Sequence, residues 1–139
     1  MAKHFETFEH PADIGLQASA DSLGGLFEAA AEGLAEQMCP RATVRPVRAV
    51  RIDVAAEDVE ALLVDFLSAV LRRFDLDRFL LSSVRVERID AKAVSAEVRG
   101  ETYDPARHEL AAEIKAVTYH QLAVARDGNG WTARVILDV

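Results

Sequence analysis

A chain of 139 residues that is half apolar is long enough to bury one hydrophobic core and is no candidate for disorder. Its 16 Lys and Arg against 23 Asp and Glu leave a net charge of −7. That is a poor starting point for a stand-alone grip on RNA or DNA, which rests on neutralising phosphates with basic side chains. The single cysteine, Cys39, excludes an internal disulfide and a zinc site built on thiolates.

The opening MAKHFETFEH lacks the apolar run of a signal peptide, and no later stretch is long enough to span a membrane. The expected location is the cytoplasm. No linker, repeat or low-complexity stretch divides the chain, so residues 1–139 are read as one domain. EHPADIG sets Glu9, His10 and Asp13 around a rigid Pro11 turn between two strands. In the second of these, Ile14, Leu16, Ala18 and Ala20 share one parity.

From Leu23 to Met38, the residues Leu23, Leu26, Phe27, Ala30, Leu34 and Met38 keep the spacing of one buried helix face. Asp21 or Ser22 can cap its start and Pro40 ends it, while Gly24 and Gly25 weaken the first turn. CPRATVRP, with Pro46, marks a connection, and Val50, Ile52 and Val54 alternate as a strand. Val59, Leu62, Leu63, Phe66, Leu67, Val70, Leu71 and Phe74 then form the stripe of a second helix. Glu57, Asp58 and Glu60 suit its positive end, and Arg72 and Arg73 its negative one.

Val84 and Val86, then Val94, Ala96 and Val98, alternate again. EIKAVTYHQLAV, Glu113 to Val124, reads as a strand with Ile114, Ala116, Thr118 and His120 on one side and Glu113, Lys115, Val117 and Tyr119 on the other. DGNG links Leu122–Arg126 to Trp131–Leu137, a hairpin signal. Helices and strands do not alternate as βαβ units. The expected class is α+β, a single domain with two main helices packed on a largely antiparallel sheet.

There is no Walker loop, GxGxxG, HExxH or nucleophile elbow, and His4, His10, His108 and His120 lack zinc-site spacing. Cys39 reads as a small, partly buried residue. Two places can carry chemistry. Asp13 in its turn, with Asp138 and the carboxylate of Val139 in VILDV, supplies hard oxygen ligands suited to Ca²⁺, Mg²⁺ or Mn²⁺. The blander alternative makes Asp13 a turn residue and Asp138 a solvated end. Lys115 and His120 interrupt an otherwise apolar strand, and their blander alternatives are a strand-edge lysine and a hydrogen-bonded core histidine.

HPADIGL, LGGLFEAAAEGLAEQM, LLVDFLSAVLRRFD, VRGETYD, EIKAVTYHQLAV and the terminal VILDV follow one another in the order of the archease family, which the chain resembles along essentially its whole length. The resemblance implies a compact α+β domain that is not itself an enzyme. Its role would be an accessory one to an RtcB-type RNA ligase, which joins RNA ends in tRNA splicing and RNA repair using GTP and Mn²⁺. Archeases promote guanylylation of that ligase and allow its multiple turnover. The family's divalent-metal site maps onto Asp13, Asp138 and Val139, and its required lysine onto Lys115; Glu113 and His120 lie in the same block with supporting roles. Pro11 departs from the threonine more usual there and removes a hydroxyl and a backbone donor.

Two other functions compete. One is a chaperone-like modulator of an RNA-modifying enzyme such as a tRNA methyltransferase, a role also proposed for archeases. The other is a small metal-dependent phosphohydrolase, which the lack of a second carboxylate pair or a clear general base disfavours.

Overall fold

The structure is a computed structural model that describes the backbone of residues 3–10 and 13–139, with the side chains of all of these except Glu9 and His10. Strands β1 (His4–His10) and β2 (Asp13–Ala20) form an antiparallel pair, followed by helix α1 (Leu23–Met38). A 3-10 turn over Arg41–Thr43 leads to β3 (Arg48–Ala55), helix α2 (Val59–Asp77), β4 (Phe79–Ile89) and β5 (Ala93–Thr102). A loop then reaches β6 (Ala116–Asp127) and β7 (Gly130–Asp138). The α+β expectation holds, and the strands divide into two antiparallel sheets, ordered β1-β2-β7-β6 and β3-β5-β4.

Both helices start as their sequences require. The Ser22 hydroxyl accepts from the Gly25 amide at 3.0 Å, and the Asp58 carboxylate accepts from the Ala61 amide at 2.8 Å. At Gly25 an added Cβ would come within 3.1 Å of the Ala20 Cβ, so the first turn passes close to the end of β2. The second helix runs to Asp77, so Arg72 and Arg73 lie a turn before its end. It stops at Arg78, whose amide still donates to the carbonyls of Arg73 and Phe74 while its left-handed backbone (φ 57°) turns the chain out of the helix.

Each helix touches both sheets. This position explains α1, where Ala29, Ala30 and Ala31 are buried beside Leu26, Phe27 and Leu34. A helix covered on nearly every side needs small residues on the faces where neighbours come close. At Gly33 an added Cβ would press on Leu16 and the Phe5 ring. Phe27 of α1 meets Phe66 of α2 with ring centroids 5.6 Å apart. Each such buried side chain contributes about 1.5–3 kcal/mol. Gly100 of β5 is required for another reason: the Leu80 carbonyl occupies the place of its missing Cβ, beside the bulge between Leu81 and Ser83.

The GNG turn behaves as its sequence demands. Asp127 pairs with Gly130, and Gly128 has φ 62°, which a two-residue hairpin loop needs at its first position. Strand β6 departs from the simple alternation. It begins at Ala116, so Glu113, Ile114 and Lys115 precede it, and both Ile114 and Val117 are buried although their parities differ. Further along, Thr118 pairs with Ile136 and Ala123 with Arg134, so four residues, 119–122, oppose Val135 alone. This wide bulge holds Gln121 at φ 54° and leaves Tyr119 and His120 exposed. His120 is therefore not a core histidine.

Candidate functional site

The first sheet has an inner face toward the helices and an outer face. Leu16, Ala18 and Ala20 of β2 are buried inward, so the opposite parity places Asp13, Gly15 and Gln17 outward. Their partners on β7 are Asp138, Ile136 and Arg134. Asp13 and Asp138 stand directly opposite each other, which puts their Cβ atoms about 4.5–5.5 Å apart on one face. Asp13 also pairs with His10 of β1, and Asp138 with Ala116 of β6. One row across the end of the sheet thus carries His10, Asp13, Asp138 and Ala116. The turn residues Pro11 and Ala12, and with them any effect of Pro11, lie outside the described residues.

The next row supports this one. The Phe8 ring lies where a Cβ of Gly15 would be, and Ile136 beside it is 1% exposed although it points outward. Thr118 donates its hydroxyl proton to the Ile136 carbonyl at 2.9 Å. The Arg134 guanidinium stacks 4.1 Å from the Phe8 ring centroid and donates to Gln121 Oε1 at 3.2 Å. The carboxylate pair therefore rests on a packed shelf, with the bulge of β6 folded toward Arg134.

The Lys115 amide donates to the Asp138 carbonyl at 2.7 Å, which ties the lysine to the carboxylate row while its side chain is exposed. Val139 follows at 37% exposure. His120 lies in the bulge, four residues beyond Ala116, and its amide donates to Thr118 Oγ1 at 3.3 Å. The structure thus gathers Asp13, Asp138, Val139 and Lys115 at one end of the sheet and sets His120 farther along β6. Among the described residues no group of three His, Cys, Asp or Glu side chains could hold a metal ion. Asp13 and Asp138 are a pair rather than a complete cage. Their chemistry fits a hard divalent cation, with Val139 and solvent as further oxygen sources.

A second polar centre escaped the sequence reading. Glu101 is 9% and His108 4% exposed, and Glu101 Oε2 lies 2.9 Å from His108 Nε2. Nδ1 of the same ring accepts from the Asp104 amide at 2.9 Å, so the proton of the neutral ring sits on Nε2, facing Glu101. Arg107 pairs with Glu101 at 2.6 Å, and the Arg45 amide donates to it at 2.8 Å. The Arg107 hydrogen bond, helped by the Arg45 amide and His108, overcomes burial and holds the Glu101 carboxyl at about 2. Tyr103 stacks on His108 with centroids 6.1 Å apart. This centre secures the start of the loop that ends at Lys115. The only signal for it was a glutamate inside VRGETYD, followed by a histidine seven residues later.

The archease protein family model matches residues 5–139. The archease of Methanosarcina acetivorans is 36% identical over 143 residues, spanning all of this chain and 98% of that protein. The archease of Pyrococcus furiosus is 33% identical over 141 residues, spanning 99% of each. In solved structures, Methanobacterium thermoautotrophicum protein 1598 superposes with a TM-score of 0.81 at 30% identity, over 97% of this chain and 98% of that one. A Thermotoga maritima archease, described as a possible chaperone, has the same fold at 23% identity, with a TM-score of 0.68 over 96% of each chain. Among the described residues no helix is long and apolar enough to cross a membrane.

Proposed function

This chain belongs to the archease family, and from that premise we propose that it is an accessory protein of an RtcB-type RNA ligase, promoting guanylylation of the ligase by GTP and its repeated turnover without being an enzyme itself. The observation that carries this reading is the cross-strand pair Asp13–Asp138, with Lys115 tied by its amide to Asp138. Asp13, Asp138 and Val139 would hold a divalent cation, Ca²⁺, Mg²⁺ or Mn²⁺, whose chemistry there is to neutralise phosphate charge. Lys115, exposed and tied by its amide to Asp138, would add a second positive group there, suited to a GTP phosphate or an acidic group of the ligase. His120, exposed in the bulge of the neighbouring strand, would play a supporting role beside that row. The net charge of −7 suits docking on a basic protein surface and disfavours direct binding to RNA.

The test pairs this protein, at substoichiometric concentration, with the RtcB-type ligase of the same organism and follows ligase–GMP formation and RNA joining. The parent is expected to give many turnovers and Asp13→Ala few. A ligase indifferent to both overturns the reading. A chaperone-like role toward an RNA-modifying enzyme such as a tRNA methyltransferase is the second reading, favoured by the description of the Thermotoga protein. That role predicts a partner whose solubility rises equally with the parent and with Asp13→Ala.

A further inference from the structure

Beside the carboxylate row, a groove of about 440 Å³ opens between the end of α2 and the loop over residues 110–114. Its floor is apolar and buried: Met38, Leu71, Phe74 and Ile114 are each less than a tenth exposed. Leu71 and Phe74 stand three residues apart on α2, with Asp75 and Arg78 continuing the same stripe outward. The opposite wall is held in place, because the amides of Ala111 and Ala112 donate to the carbonyls of Met38 and Gln37 at 2.8 and 3.1 Å. The groove is therefore preformed, and it needs no rearrangement of the loop to receive a side chain.

Its rim differs from its floor. Leu110 forms a lip at 40% exposure, and the exposed carboxylates of Asp75 and Glu113 flank the opening. The one cation on the lining, Arg78, lies 4.9 Å from the Phe74 ring centroid. An apolar slot with an acidic rim, on a protein of net charge −7, selects an apolar group carried next to positive charge. The groove adjoins the candidate site along the chain. Ile114 ends its floor, and the following residue, Lys115, is bonded through its amide to Asp138.

We propose that this groove is the docking site for a segment of the partner protein that presents an apolar side chain flanked by Lys or Arg, so that binding there brings the partner against Lys115 and the Asp13–Asp138 pair. The inference rests on the accessory reading above and names the surface through which the accessory protein is held. It separates two functions along the chain: residues 71–78 and 110–114 supply affinity, and the carboxylate row supplies the effect on the partner.

The experiment measures the affinity of the full chain for the RtcB-type ligase of the same organism, together with ligase–GMP formation at saturating protein. Leu110→Glu, and separately the charge reversal Asp75→Lys, alter exposed positions and are expected to keep the parent's thermal midpoint. Both are expected to raise Kd at least tenfold while stimulation recovers at saturation. The charge-reversed variant should also lose much of the salt dependence of binding. Asp13→Ala should show the converse, with unchanged affinity and lost stimulation. Groove variants that bind as the parent does overturn the docking proposal alone. A parent that neither binds nor stimulates the ligase overturns the accessory reading and this inference with it.

Discussion

Asp13 and Asp138 face each other across β2 and β7, two acidic residues 125 positions apart in the chain and directly opposite in the sheet. Two like charges in register repel, so the pairing is unfavourable unless something positive stands beside it. A divalent cation is expected to raise the thermal midpoint of the parent. At a hundred times its Kd the gain is about 2.7 kcal/mol. Asp13→Asn and Asp138→Asn should each abolish that increment for Ca²⁺ and Mn²⁺, measured by thermal denaturation and titration calorimetry. Unchanged calcium binding in both variants would remove these residues from the metal site.

Lys115 donates its amide to Asp138 but exposes its side chain. Truncation should therefore leave the backbone tie and the fold intact. Lys115→Ala is expected to keep stability within about 0.5 kcal/mol and to lower stimulation of the ligase at least tenfold, with metal affinity unchanged. Denaturant titration and a guanylylation assay separate the two effects. Full stimulation by the alanine variant would show that the ammonium group is not used.

Gln121 sits at φ 54°, where a side chain with a Cβ costs about 1–2 kcal/mol. Glycine at 121 removes that cost and loses one exposed hydrogen bond to Arg134. Gln121→Gly should be neutral or stabilising, whereas Gln121→Val should destabilise by more than about 1 kcal/mol. Urea unfolding of both variants checks the ordering, and valine proving as stable as glycine would contradict the left-handed geometry of the bulge.

Glu101 has its folded carboxyl held at about 2 against an ordinary 4.5, chiefly by Arg107. A depressed acid contributes stability above its unfolded value and loses it as pH falls toward its folded one. The contribution should be complete above about pH 5 and fade between 4.5 and about 2. Glu101→Gln should cost about 1–3 kcal/mol at neutral pH by leaving Arg107 and His108 imperfectly paired. The gap between parent and variant should close on acidification over that window. A gap that is constant from pH 7 to about pH 2.5 would assign the loss to packing instead.

Both helices were legible because their signal is local. The stripe from Leu62 to Phe74 and the cap at Ser22 need only neighbours within a few turns. The individual strands were legible too, since Val94, Ala96 and Val98 alternate as half-buried residues do. Their division into two sheets was not, because whether β2 pairs with β7 or with another strand depends on partners over a hundred residues away. The bulge over residues 119–122 was hidden for a related reason. TYHQL continues a plausible alternation, and only the pairing with β7 reveals the extra residues. Of the candidate site, Asp13, Asp138 and Lys115 do meet at one sheet end, whereas Glu101 and His108 went unnoticed. Glu101 stands on a strand parity that would be solvent-facing if the loop after it did not fold back to cover it.

The position of β7 has a consequence for how the molecule comes into being. It is the last strand in the chain, yet it lies inside its sheet between β2 and β6. While the polypeptide emerges, β1 and β2 can form a hairpin, but one edge of β2 stays open until residues 130–138 arrive. Closing that gap requires contacts of very long sequence separation, which slows folding and prolongs exposure of the open edge. Because one carboxylate of the pair waits on β2 and the other arrives with β7, the two meet only when the sheet closes. A nascent chain that lacks β7 would contain most of the core residues but only one carboxylate of the pair.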